Sequence, residues 1–129
     1  EMNRVLKPGG TLAFSDVFSD PAGPGGPLYF PVPWARTAAT SFLLSPGELR
    51  ALLPECGFIL TDWKDVTETA RSVFAKLAGK VREKGLPPLG THILLGPAFE
   101  EMLFNQQRNF EEGQIVVLQI VAKKNGSEA

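Results

Sequence analysis

The sequence predicts an α/β fold, in which short apolar strands alternate with amphipathic helices. Three observations support this prediction. The helix stop Pro8-Gly9-Gly10 leads directly into an apolar stretch at residues 11–14. A capped helix and then a second strand follow within residues 45–66. Residues 114–122 are apolar at almost every position, which is typical of a strand in the interior of a sheet.

The composition is that of an ordinary globular chain. Its 129 residues fit one domain, and 43% of them are hydrophobic while 21% are charged. Thirteen basic and 14 acidic side chains give a formal net charge of −1, which provides no basic face for nucleic acid. We therefore expect no nucleic-acid partner, and no membrane association, because no apolar run approaches the length of a membrane span.

The reactive residue types are few. The single cysteine, Cys56, excludes an internal disulfide and predicts a reducing, cytoplasmic location. It lies just before Gly57 at a predicted helix end, so we interpret it as a small buried hydrophobe rather than a nucleophile. The spacing of His, Cys, Asp and Glu does not resemble a metal site, and we predict none.

The first element is the end of a helix at residues 4–6. Pro8 cannot continue that helix, and the two glycines after it supply the left-handed backbone that a helix exit often needs. Asp16 follows the strand at 11–14, at its carboxyl end, where open α/β sheets bind their ligands. We expect Asp16 to orient a substrate, with capping of a turn as the alternative.

Two irregular loops are predicted, at residues 19–27 and 85–96, because both are rich in proline and glycine. The first is interpreted as a mobile connector, since it lacks the Gly-x-Gly-x-x-Gly spacing of a phosphate loop. The second is unusually apolar, so it either packs over something or closes a pocket. Between them, residues 28–34 combine three aromatic residues with two prolines. That extended segment either seals a core or lines a small-molecule pocket.

The remaining elements follow from capping and periodicity. Ser45 and Glu48 form the capping box of a helix that ends at Gly57, and a strand at 58–66 comes next. Two further helices run from Thr67 to about residue 85 and from Pro97 to about residue 113. The apolar stripes of the three helices contain Leu49, Leu52 and Leu53, then Ala70, Val73, Phe74, Leu77 and Val81, then Phe99, Met102, Leu103, Gln106 and Phe110.

The run Arg-Val-Leu-Lys-Pro-Gly-Gly at residues 4–10, followed by an apolar strand and an aspartate, resembles the fifth-strand signature of class I S-adenosylmethionine-dependent methyltransferases. In that family the last strand is antiparallel and inserted between the fifth and sixth strands. The resemblance covers nearly the whole chain. It implies one partial domain over residues 1–129, the carboxyl-terminal, substrate-side half of a Rossmann-like sheet.

The family's Gly-rich cofactor loop lies upstream of this region. The resemblance therefore implies that S-adenosylmethionine serves the full-length domain and does not bind to this chain, which is then inactive alone. Only six residues precede the turn at Lys7-Pro8, so we expect the chain to begin inside a helix. The alternative is a frayed first turn of a complete small domain.

The resemblance also implies methyl transfer to a small molecule, with residues 30–35 and 68–112 covering the substrate. Tyr29, Trp34 and Trp63 are candidates to stack on a positively charged methyl donor, with plain packing as the alternative. His92 is the only histidine and the candidate general base where the acceptor must lose a proton.

Asn105 and Asn109 lie one turn apart on the last helix and are candidates to bind the substrate, with exposure to solvent as the alternative. Two functions other than catalysis stay open. One is a small-molecule binding module with an apolar pocket under residues 30–34 and 86–95. The other is an interaction domain, in which the exposed edge of the first strand pairs with a second copy to give a homodimer.

Overall fold

A computed structural model describes residues 1–126. In chain order its helices and strands are α1 (Met2–Val5), β1 (Thr11–Ser19), a 3-10 turn (Ala38–Thr40), α2 (Pro46–Glu55), β2 (Phe58–Asp65), α3 (Thr67–Lys84), α4 (His92–Leu95), α5 (Phe99–Glu111) and β3 (Ile115–Lys124).

The chain divides into two compact units. The sheet unit contains Glu1–Asp20, Leu43–Thr67 and residues 116–126, and the helical unit contains Pro21–Phe42 and Glu68–Ile115. Each unit is described by itself below. The expectation of one partial domain stays a prediction.

The three strands form one sheet in the order β1-β3-β2. Strand β2 pairs antiparallel with β3, from Phe58 opposite Lys124 to Asp65 opposite Leu118. On the other side, the Gly9 N–H donates to the Lys124 carbonyl (3.1 Å) and the Lys124 N–H to the Gly10 carbonyl (2.8 Å). These bonds join the start of β1 to the end of β3, so this pair is antiparallel as well. The predicted insertion of an antiparallel last strand between the other two is confirmed.

The core of the sheet unit lies on one face of β3. Its fully buried members are Phe18, Leu49, Leu53, Phe58, Leu118, Ile120 and Ala122. Alternate residues of β3 carry this burial, and Gln119 between them is exposed. The predicted interior position of this strand is confirmed, but its nearly continuous apolar sequence is fully buried on one face only.

The chain enters the sheet through the predicted helix stop. After the short α1, the Gly10 N–H donates to the Lys7 carbonyl at 2.8 Å, and Gly9 takes a positive φ of 74°. The strand that follows does not end at residue 14 but continues to Ser19. Asp16 therefore lies inside β1 with an exposed side chain, and its predicted position at the carboxyl end of the strand was wrong.

The capping box of α2 is confirmed. The Ser45 hydroxyl accepts from the Glu48 N–H, and the Glu48 carboxylate accepts from the Ser45 N–H, both at 3.2 Å. Of the predicted stripe, Leu49 and Leu53 are buried, but Leu52 is 41% exposed. Cys56 is exposed rather than buried, because it caps the carboxyl end of the helix outside the core.

Replacing Ser45 with alanine is expected to lower the free energy of unfolding by about 1 kcal/mol, because the Glu48 N–H then loses its acceptor. Urea denaturation followed by circular dichroism measures this change. Ser45→Asp is the matched control, since aspartate retains an N-cap acceptor and should stay close to the parent. Equal losses in both variants would contradict a capping role for Ser45.

The helical unit has its own core. One buried cluster in it consists of Ala78, Val81, Phe99 and Leu103, against which Phe74, Leu77, Leu95 and Phe104 pack. Met102 and Phe110 of the same unit are buried as well. Most of the predicted stripes on α3 and α5 are confirmed, but Val73 is 57% exposed. The apolar segment 85–96 is not irregular throughout, because α4 lies within it. Its Leu89 and Leu94 are 81% and 87% exposed, so neither side chain is covered by described residues.

Candidate functional site

The aromatic segment at residues 28–35 is held by two asparagines of α5. The Tyr29 N–H donates to Asn109 Oδ1 at 2.9 Å, and Asn109 Nδ2 donates to the Tyr29 carbonyl at 3.2 Å. One turn earlier, Asn105 Nδ2 donates to the Pro31 carbonyl at 3.0 Å. These side-chain amides satisfy backbone groups of a segment that belongs to no helix or strand.

The prediction that Asn109 binds the substrate is therefore corrected, whereas for Asn105 it stays a prediction. Asn109 is completely buried, and its amide group is bonded on both sides to the Tyr29 backbone. Asn105 uses its amide nitrogen in the same way. Both residues position the aromatic segment. The sequence signal was an asparagine beside the apolar stripe of an amphipathic helix, a pattern that an internal partner and a bound ligand share.

Two charged side chains at the carboxyl end of α5 contact Tyr29. Its hydroxyl donates to Glu112 Oε1 at 2.8 Å, and the Arg108 guanidinium lies 3.8 Å from the centre of its ring. The hydrogen bond to Glu112 raises the pKa of Tyr29, and Arg108 acts in the opposite direction.

Trp63 carries a similar stack in the sheet unit, where the Arg50 guanidinium lies 3.9 Å from its ring centre. Tyr29 and Trp63 were predicted to stack on a positively charged methyl donor. The structure places an arginine of the chain itself on each ring instead.

The Tyr29 contacts predict an alkaline titration that can be followed cleanly, because Tyr29 is the only tyrosine. Its raised pKa means that the folded state holds the phenol proton more tightly than the unfolded state. The resulting stability is present below the unfolded pKa and is lost as the pH rises through the folded pKa.

In an ultraviolet absorbance titration we expect Glu112→Ala to move the phenol midpoint down toward that of free tyrosine. Arg108→Ala should move it further up, because it removes the opposing charge. A midpoint that is the same in both variants and the parent would contradict these contacts.

A tight turn follows the anchored segment. Val32 and Ala35 exchange backbone hydrogen bonds of 2.9 and 3.1 Å, and both side chains are buried. Trp34 lies between them in the chain, and its indole N–H donates to the Ser41 hydroxyl at 3.0 Å. The two alternatives for this segment are both realised: Val32 and Ala35 seal the core, whereas Trp34 lines a cleft.

The Trp34 cleft has a volume of about 450 Å³, within the range of small-molecule sites. Its wall is mainly apolar, and Arg36 with two threonines supplies the polar part. The lining residues are Val32, Pro33, Trp34, Ala35, Arg36, Thr37, Thr40, Leu94, Leu95 and Met102. All of them belong to the helical unit.

The other predicted site residues do not line this cleft. His92 begins α4 with its ring 5.9 Å from that of Phe99, and the Leu94 and Leu95 side chains of the same helix provide the lining instead. Its role as a base stays a prediction. Asp16 and Trp63 belong to the sheet unit. Of the site residues that the sequence predicted by number, Trp34 is the one that lines the Trp34 cleft.

Arg36 was missed by the sequence analysis. The available signal was a single charged residue directly after the aromatic and proline-rich run. Leu94, Leu95 and Met102 come from elements distant in sequence, although residues 86–95 were expected to border a pocket.

The fold matches several solved structures. The 4+2 cyclase SpnF superposes with a TM-score of 0.63 at 23% identity, over 96% of this chain and 42% of the cyclase. A protein from Galdieria sulphuraria assigned as a sarcosine dimethylglycine methyltransferase superposes with a TM-score of 0.67 at 14% identity, over 97% of this chain and 45% of that protein. The chain has the fold of S-adenosylmethionine-dependent methyltransferases.

Phosphoethanolamine N-methyltransferase 2 from Haemonchus contortus, in complex with S-adenosylhomocysteine and phosphomonomethylethanolamine, has the same methyltransferase fold (TM-score 0.65, 12% identity), over 96% of this chain and 28% of that protein. The chain thus spans less than half the length of each of these proteins. One of them is named as a cyclase, so the methyltransferase fold by itself does not decide the reaction.

No protein-family model and no curated protein matches the sequence. Within residues 1–126, no helix is long and apolar enough to cross a membrane. The same residues contain no group of three or more His, Cys, Asp or Glu side chains arranged to hold a metal ion.

Proposed function

We propose that this chain forms the substrate-side part of a cytoplasmic, S-adenosylmethionine-dependent methyltransferase acting on a small molecule. The observation that carries the proposal is the Trp34 cleft, built on an aromatic turn that α5 holds in place through Asn105 and Asn109. The methyltransferase fold supports the reaction class. Size and a mainly apolar wall support a small-molecule acceptor.

The Trp34 cleft does not fit the methyl donor itself. The sulfonium, ammonium and carboxylate of S-adenosylmethionine give it a net positive charge, and the only charged side chain lining the cleft is the like-charged Arg36. The rings of Tyr29 and Trp63 already stack against Arg108 and Arg50. We therefore assign the donor to residues outside this chain and derive no step through it from the residues described here.

The role proposed for this chain is to position the acceptor and to exclude water. Transfer of a methyl group needs the attacking atom in line with the bond that breaks, so orientation supplies much of the rate enhancement. The buried turn at Val32 and Ala35 gives the cleft a rigid floor, and Trp34 is fixed by its bond to Ser41. A rigid, mainly apolar wall of this kind holds an acceptor in one orientation.

Isothermal titration calorimetry tests the assignment of the donor. We expect no heat of binding when S-adenosylmethionine is titrated into the 129-residue chain. The matched experiment uses the polypeptide extended through the codons upstream of Glu1, which should bind the donor with one-to-one stoichiometry. Saturable binding to the 129-residue chain, or none to the extended polypeptide, would overturn the proposal.

A second candidate function is pairing with another copy of this chain through β1. This nine-residue strand is at the edge of the sheet, and among the described strands only β3 pairs with it. Free backbone groups along an edge are a template for another strand. Sedimentation equilibrium should then show a mass that rises with concentration, whereas a constant monomer mass would rule this function out.

A further inference from the structure

We propose that the Trp34 cleft binds an amphiphilic anion, an acid with an alkyl body whose charged head group pairs with Arg36. The identification of this ligand as the substrate rests on the proposed function. The binding itself is argued from the residues of the cleft.

Among the arginines, Arg36 alone has no partner within residues 1–126. Its guanidinium makes no hydrogen bond, ion pair or ring contact with any residue from 1 to 126, and the residue is exposed at the cleft. Every other arginine of the chain is engaged: Arg4 with Glu1, Arg50 with Trp63, Arg71 with Glu68, Arg82 with Phe104 and Arg108 with Tyr29. An unpaired guanidinium beside an apolar wall is suited to bind a carboxylate or phosphate in two-point geometry.

The apolar residues that line the cleft together with Arg36 favour a ligand with an apolar body. Leu94 lines the cleft yet is 87% exposed, and Leu95 and Met102 continue the same surface. A small polar anion would leave Leu94 in water, whereas an alkyl chain would cover it. Removal of apolar surface from water is favourable in proportion to its area. A ligand with an anionic head group and an alkyl chain therefore gains binding energy from Arg36 and from the apolar wall.

Other ligand classes fit less well. No aspartate or glutamate lines the cleft, so a cation would meet only the like charge of Arg36. Thr40, which could otherwise donate to a neutral polar ligand, already donates its hydroxyl hydrogen to the Thr37 carbonyl at 3.1 Å. An uncharged alkyl ligand would bind without using Arg36, and this difference makes the proposal testable.

The experiment follows Trp34 fluorescence in the full 129-residue chain carrying Trp63→Phe, which leaves Trp34 as the single tryptophan. Decanoate is the probe, used below its micelle concentration. Decanol lacks the charge, decyltrimethylammonium has the opposite charge, and acetate lacks the body. We expect saturable binding of decanoate, about tenfold weaker binding of decanol, and none of the other two.

The variant Arg36→Gln should weaken decanoate binding by about tenfold or more and leave decanol binding unchanged. Arg82→Gln is the matched control, because Arg82 lies over Phe104 and does not line the cleft. Circular dichroism verifies that both variants fold, as expected for exposed side chains.

Decanoate binding that is insensitive to Arg36→Gln, equal to decanol binding, or absent would overturn this inference. None of these results depends on S-adenosylmethionine. The titration of the donor therefore separates a failure of this inference from a failure of the proposed function.

Discussion

Replacing Phe110 with alanine is expected to lower the free energy of unfolding of the helical unit by about 3–5 kcal/mol, the usual loss for a large core aromatic. The Phe110 side chain is completely buried, and its ring centre lies 5.4 Å from that of Phe74. The variant loses this contact and leaves a cavity between α3 and α5. Urea denaturation, followed by far-ultraviolet circular dichroism, measures the change.

Val73→Ala is the matched control for Phe110→Ala. Val73 also lies on a helix of the helical unit and was expected to be in its apolar stripe, but it is 57% exposed. Its truncation should change the free energy of unfolding by at most about 0.5 kcal/mol. Similar losses in the two variants would show that Phe110 is not a core residue.

Replacing Asn109 with alanine is expected to cost about 2–4 kcal/mol of stability. The change removes both hydrogen bonds to Tyr29. It leaves the Tyr29 N–H and the Tyr29 carbonyl without the amide of the buried Asn109. We expect the aromatic segment to detach from α5 in this variant. Urea denaturation gives the energy, and Trp34 fluorescence in the Trp63→Phe background reports the detachment.

Asn105→Ala provides the comparison for Asn109→Ala, because it removes a single bond from a partly buried side chain. Its expected loss is about 1 kcal/mol. Asn109→Asp places a buried carboxylate against the Tyr29 carbonyl, so at neutral pH it should cost at least as much as the alanine variant. A loss no larger in Asn109→Ala than in Asn105→Ala would be incompatible with the paired bonds described above.

The parts of the fold that the sequence predicted well are those governed by local interactions. The capping box joins Ser45 to Glu48 across three residues, and the helix stop joins Lys7 to Gly10 across the same separation. Such contacts are visible in a few consecutive letters. The order of the strands is non-local, and its prediction came from the resemblance rather than from periodicity.

The incorrect predictions concern features that depend on contacts with residues distant in sequence. The first strand was predicted to end at residue 14, before Asp16, yet β1 continues to Ser19 and buries Phe18 in the core. A polar pair of residues within an edge strand resembles a strand end when its neighbour is unknown. The extent of the pairing between β1 and β3 is non-local and leaves no signal in the residues of β1 alone.

The candidate site shows the same limit more clearly. Asn109 and Tyr29 are separated by 80 residues, and Asn105 and Pro31 by 74. Sequence reasoning recognised that these residues were unusual but assigned their polar groups to a ligand. The internal partner was not foreseeable, because a buried amide and a ligand-binding amide have the same local pattern. Arg36 was passed over because a lone surface charge is common in any chain.

The central position of β3 has a consequence for biosynthesis. During translation β1 and β2 leave the ribosome well before the strand that lies between them, so neither can pair with β3 until the last part of the chain has been made. We expect the sheet to assemble only after β3 emerges. Until then the growing polypeptide is open to chaperones and to mispairing.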